Sequence, residues 1–142
     1  MILQLMPDQC SKYWEDIKGT IKMALPPMAL ATDEAMSNIL AGLLNSSIQA
    51  WAALDGSNTV AVAVTVIQES VGDKTKNLLI YALAGYGNIS QETWSEGFQV
   101  LKKFAASQGC HKMVAFTCVP RVLEIARGLG ATVDYRLLEW EV

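Results

Sequence analysis

The chain has 142 residues, 51% of them apolar and 18% charged, with a formal net charge of −3. These values describe one globular domain over 1–142 with a core of its own, rather than a disordered chain. The slight acidity, with no block of basic residues, argues against nucleic acid or an anionic membrane as the main partner, and the longest apolar runs, such as VAVAV at 60–64, are far too short to span a bilayer.

The first residues, MILQLMPDQC, contain neither a positive leader nor a long apolar stretch, so no secretory signal is expected. Cys10, Cys110 and Cys118 form no CxxC pair, and His111 is the single histidine. Neither a disulfide framework nor a metal site is expected, and a cytoplasmic setting is the default.

In chain order, ILQLM at 2–6 reads as a short strand. Pro7 and Asp8 then open a helix whose apolar positions, Cys10, Tyr13, Trp14, Ile17, Ile21 and Leu25, recur three and four apart on one face. Pro26 and Pro27 end it. A second helix is expected from about Asp33, capped by Thr32 or Asp33, with Met36, Ile39, Leu40, Leu43 and Leu44 inward. IQAWAAL at 48–54 and TVAVAVTVIQES at 59–70 flank Asp55-Gly56-Ser57-Asn58 and read as a hairpin. NLLIYALA at 77–84 is apolar almost throughout, as a central strand is. A helix from Ser90 to about Gln108 carries Trp94, Phe98, Leu101 and Ala105 at helical spacing and ends at Gly109. KMVAFTCV at 112–119 is the next strand, and Pro120 opens a helix that runs to Gly130. TVDYRLLEWEV closes the chain as a last long strand. The order β-α-α-β-β-β-α-β-α-β predicts a single-domain α/β fold, a mixed sheet with helices on both faces.

One stretch carries chemistry. In YALAGYGNISQETWSEG, residues 81–97, a strand runs into Gly85-Tyr86-Gly87 and Ser90 then opens a helix. Backbone N–H groups of such a turn, aided by the positive end of the helix, can hold a phosphate. The same glycines would also serve a plain strand-to-helix bend. No lysine or arginine occurs from Asn77 to Val100, and Glu92 lies in the first helical turn. Lys102 and Lys103 are about 18 Å along the helix from Ser90, beyond a screening length of roughly 8 Å.

The order of elements resembles the GNAT acyltransferase superfamily over essentially the whole chain. Two places carry the resemblance. Ala82-Leu83-Ala84-Gly85-Tyr86-Gly87 occupies the slot of the family's Gln/Arg-x-x-Gly-x-Gly/Ala turn, and RVLEIARGLGA at 121–131 the slot of its last helix. A likeness to small GNAT-like proteins of phages and prophages accompanies it. The resemblance implies acetyl-CoA or another acyl-CoA as co-substrate, with Leu83, Gly85, Tyr86, Gly87, Asn88 and Ser90 around its pantetheine and pyrophosphate. It implies an amine acceptor, a small molecule or a protein. This chain departs from the family at Ala82, where Gln or Arg is usual, at Ala126, where a tyrosine is common, and at Val119, where an asparagine is.

Amine acylation needs a base for the ammonium and an acid for the leaving thiolate. Glu69 could serve through water or be a solvated strand end. Tyr86 could donate a proton, stack on an adenine or cover the core. His111 and Cys118, seven apart along one expected strand, point to opposite faces and make no dyad. Arg121, just past that strand, falls where the family's acyl group lies. Two functions therefore stand open: an N-acyltransferase working mainly by positioning, and an inactive GNAT-fold binding or structural module, of a kind found with phages. RLLEWEV is a candidate for strand pairing across a homodimer.

Overall fold

The structure, a computed structural model, describes all residues, 1–142. Its elements are β1 (Ile2–Leu5), α1 (Pro7–Lys12), α2 (Trp14–Met23), α3 (Asp33–Leu44), β2 (Ile48–Asp55), β3 (Asn58–Glu69), β4 (Lys76–Gly85), α4 (Gln91–Ser107), β5 (Cys110–Ala115) and α5 (Pro120–Gly128). The strands form one sheet in the order β1-β2-β3-β4-β5, with the first three pairings antiparallel and β4–β5 parallel. This is the expected mixed α/β sheet, and helices cover both of its faces.

On one face α1, α2 and α3 bury Cys10, Ile17, Ile21, Met36, Ile39 and Leu43 against Ala50, Val64 and Ala82 of the sheet. The small strand residues allow these helices to lie close. On the other face α4 buries Leu101 and Ala105 against Trp51 and Leu78, and Phe104 meets the Trp51 ring edge-on at 5.1 Å. Beneath α4 the Trp51 indole N–H donates to Thr65 Oγ1, which donates to Gln49 Oε1, both at 2.9 Å. All three side chains are buried, so this chain of donors removes the desolvation cost of three polar groups at once.

Four expectations need correction. The strand expected over 112–119 is β5, Cys110–Ala115, and residues 116–119 lie outside it. The first helix is two helices, α1 and α2, meeting at Tyr13, whose φ of −104° and ψ of 19° leave the helical range. The apolar spacing continues across this break, which is why periodicity alone reads through it. The hairpin turn is tighter than four residues: Asp55 pairs with Asn58, leaving Gly56 (φ +61°) and Ser57 as the loop. The largest correction is the last strand. Residues 131–142 adopt no regular structure and are exposed throughout, so the sheet stops at β5 and the element order ends at α5.

Candidate functional site

The site is built by a defect in β4. Ile80 pairs with Thr65 and Ala82 with Val64, so Tyr81 is an extra residue with no partner in β3. Such a bulge bends its strand and turns two consecutive side chains to one face. Ala82 joins the core under α1–α3 and Tyr81 packs at its margin. Beyond the bulge β4 and β5 part company: their last paired residues are Ile80 and Ala115. From Tyr81 to Gly85 the edge of β4 that faces away from β3 has no strand beside it, while Phe116–Val119 leave β5 without strand structure. The result is a V-shaped opening with backbone donors and acceptors along one wall.

The turn at the head of this opening is held firmly. The Tyr86 N–H donates to Val60 O at 2.8 Å. The Tyr86 hydroxyl meets Thr20 Oγ1 on α2. Thr20 Oγ1 spends its own proton on Asp16 O at 3.1 Å, so the tyrosine donates and the threonine accepts. Gly87 has φ +76°, a conformation that side chains with a Cβ adopt only under strain. A Cβ at Gly85 would lie 2.6 Å from Ile89 Cδ1, so that glycine lets Ile89 close over the strand end. Both glycines thus have local geometric reasons to be there.

The turn nevertheless leaves a row of free donors. The N–H groups of Gly87, Asn88, Ile89, Ser90, Gln91 and Glu92 have no acceptor in the chain. Ser90 caps α4 by accepting from the Thr93 N–H at 3.1 Å, which fixes the helix end without using those groups. Successive unsatisfied N–H groups at a helix start form a concavity that suits an anion. The Trp94 indole N–H in the same helical turn is buried without a partner.

A cation also reaches this end. A surface cleft of about 340 Å³ lies between the start of α4 and α5, lined by Gln91, Arg121, Glu124, Ile125 and Gly128. Arg121, at the start of α5, thus lines the same cleft as Gln91, the first residue of α4, a cation besides the Lys102 and Lys103 weighed from the sequence. The chain separation between Gln91 and Arg121 hides that proximity from any local motif. Glu92 and Glu124 are exposed at the same end and oppose an anion.

Of the residues singled out in the sequence, Leu83, Gly85, Tyr86, Gly87, Asn88 and Ser90 come together at the end of β4 and the turn. Glu69 does not join them. It pairs with Lys76, eight residues along β3 from Ala61, the partner of Gly85, a distance of about 26 Å at strand spacing. His111 lies at the first end of β5 and Cys118 beyond its last, consistent with their not forming a dyad. Thr20 was not foreseen: its tie to Tyr86 spans 66 residues, and no local pattern marks it. No group of histidine, cysteine or acidic residues is placed to hold a metal ion, and no helix is long and apolar enough to cross a membrane.

No family model and no curated protein matches this sequence. Solved structures do match in shape. A probable acetyltransferase superposes on all of this chain and 96% of its own, with a TM-score of 0.71 at 12% identity. The aminoglycoside acetyltransferase meta-AAC0020, from an uncultured soil metagenomic sample, matches all of this chain and 94% of its own, with a TM-score of 0.73 at 14% identity. AAC(6')-Iy, solved with the bisubstrate analog CoA-S-monomethyl-acetylneamine, matches all of this chain and 97% of its own, with a TM-score of 0.71 at 15% identity. At such identities the likeness establishes the fold, which is that of the GNAT acyltransferases.

Proposed function

We propose that this protein binds an acyl-CoA in the opening between β4 and β5 and transfers the acyl group to an amine. The observation that carries this reading is the bulge at Tyr81 with the parting of the strands after Ile80 and Ala115. It frees a length of strand edge that ends at the row of N–H donors from Gly87 to Glu92. The residues present fit the co-substrate's parts: an amide-bearing arm along the Tyr81–Gly85 edge, and a pyrophosphate on the turn with Arg121 as counter-charge. CoA would supply the activated thioester. The protein would supply position, which by itself can lower a bimolecular barrier by about 7–11 kcal/mol.

A second reading, a binding module without catalysis, is favoured by one specific observation. The Tyr86 hydroxyl is engaged by Thr20, and Glu69 is remote from the opening. Neither sequence candidate for acid or base is therefore free at the site, and transfer would rely on water for its protons.

Calorimetric titration with acetyl-CoA, followed by thiol release in the presence of an amine panel, separates the readings. Binding with amine-dependent thiol release supports the transferase, and binding without release under any amine supports the module. Absence of binding at millimolar acetyl-CoA contradicts both. Asn88→Glu is the better probe of the phosphate path than a change at Gly87, because Asn88 is exposed and has no positive φ. It is expected to weaken binding at least tenfold without lowering Tm.

A further inference from the structure

The free donors of the turn after β4 hang between two fixed points. On the far side Ser90 is set by its bond to the Thr93 N–H. On the near side stands Tyr86, flanked by Gly85 and Gly87, the residue type that restrains a backbone least. The Tyr86 N–H donates to Val60 O on β3, and its hydroxyl donates to Thr20 Oγ1 on α2. Tyr86 is thus held at both ends, by the sheet and by a helix residue 66 positions earlier in the chain. Between the two fixed points lie Gly87, Asn88 and Ile89, whose N–H groups have no acceptor in the chain.

Thr20 is buried within α2, 7% exposed. Packing alone at such a position is served as well by valine, a β-branched side chain of similar shape. The Thr20 hydroxyl is used twice instead. Its proton goes to Asp16 O one turn back at 3.1 Å, which leaves its oxygen as an acceptor for Tyr86. Tyr86 is 43% exposed, so water can satisfy its hydroxyl when Thr20 is changed. What the bond contributes is therefore position, rather than relief of a buried polar group.

We propose that Thr20 is a positioning residue for the pyrophosphate of the co-substrate: through the Tyr86 hydroxyl it sets the row of N–H donors before the ligand arrives. The inference rests on the acyl-CoA reading of the opening. Donors already in place bind an anion without the entropic cost of gathering them. With the bond to Thr20 gone, rotation at Gly85 and Gly87 loosens the row, and the ligand has to order it. The effect is confined to the pyrophosphate. The arm of the co-substrate would lie along Leu83–Gly85, which β3 holds in register through Ala63, Val62 and Ala61 whatever Thr20 does.

Calorimetric titration with acetyl-CoA, and with acetylpantetheine, which lacks the pyrophosphate, tests the proposal on Thr20→Val, Tyr86→Phe, the double variant and Thr20→Ser. Thr20→Val and Tyr86→Phe should each weaken acetyl-CoA about three- to tenfold, the range of one hydrogen bond, and leave acetylpantetheine within about twofold. The double variant should bind no more weakly than either single one, because both remove the same bond. Thr20→Ser keeps the hydroxyl and should keep wild-type affinity. Unchanged acetyl-CoA affinity in Thr20→Val, equal losses for both ligands, or additive losses in the double variant overturn the role of Thr20. Wild type that binds no acetyl-CoA overturns the acyl-CoA reading instead, so the two failures are distinct. A measurement without ligand completes the test: exchange of the Tyr86 amide, relative to its intrinsic rate, should be faster in Thr20→Val and restored in Thr20→Ser. An unchanged Tyr86 amide in Thr20→Val overturns the proposal whatever the titrations give.

Discussion

Gly87 shows how a single residue here is constrained. Its φ of +76° is a backbone requirement, with nothing within 4 Å of the Cβ position. Gly87→Ala therefore meets no clash and costs only conformational strain, about 1–2 kcal/mol. Thermal denaturation should show a Tm lower by roughly 3–8 °C, and an unchanged Tm would mean the turn relaxes. Cys10 makes a second case. It is 1% exposed in the core under α1–α3, and burial, reinforced by the Asp8 charge, pushes its thiol above the ordinary value. The thiolate is the reactive form, so a raised value leaves less of it at neutral pH. A disulfide reagent should modify exposed Cys118 quickly and Cys10 only as the protein unfolds. Equal rates in the native state would contradict the packing of α1.

At the scale of elements, α4 holds the site because its start is fixed independently of any ligand. Ser90→Ala removes the bond to the Thr93 N–H and is expected to cost about 1 kcal/mol in chemical denaturation. A loss below the error of the measurement would show that tertiary packing alone sets the helix start. The β3–β4 connection depends on Asp73 in the same way. Its carboxylate accepts from the Thr75 N–H at 3.1 Å and hydroxyl at 2.8 Å, and these bonds, the backbone one foremost, hold the acid below its ordinary value. A depressed carboxyl stabilises the fold above its unfolded pKa, and that contribution is lost as pH falls through the folded value. Amide protection in Ser70–Thr75, relative to the intrinsic exchange rate at each pH, should fall in acid, and Asp73→Asn should abolish that dependence.

The elements were legible in the sequence wherever a local signal existed. The Thr32 and Ser90 caps and most of the apolar stripes fall where the structure has them, although Tyr13 and Leu44, expected inward, are exposed. What was hidden is non-local. Tyr13 breaks a helix whose apolar spacing continues unbroken, and the Tyr81 bulge appears only once β3 and β4 are in register. Arg121 and Gln91 line one cleft although 30 residues separate them, and Thr20 reaches Tyr86 across 66 residues. The segment 131–142 has the alternation of a strand, but alternation states a capacity to pair and does not supply the neighbour.

For the molecule as a whole, the fold positions an opening and the residues around it decide what the opening does. Five strands, a bulge and a parting pair of strands place free backbone donors beside a capped helix start, with one arginine close by and two glutamates opposed. Fold alone does not imply function, so the central claim is that this arrangement binds an acyl-CoA. Isothermal titration with acetyl-CoA, on wild type and Arg121→Glu, tests it most directly. One molecule should bind per chain, and ligand at a hundredfold excess over Kd should stabilise the native state by about 2.7 kcal/mol. Arg121→Glu should weaken binding at least tenfold, more so at low salt, while leaving Tm unchanged. No heat and no stabilisation at millimolar acetyl-CoA, or an affinity indifferent to Arg121, would contradict it.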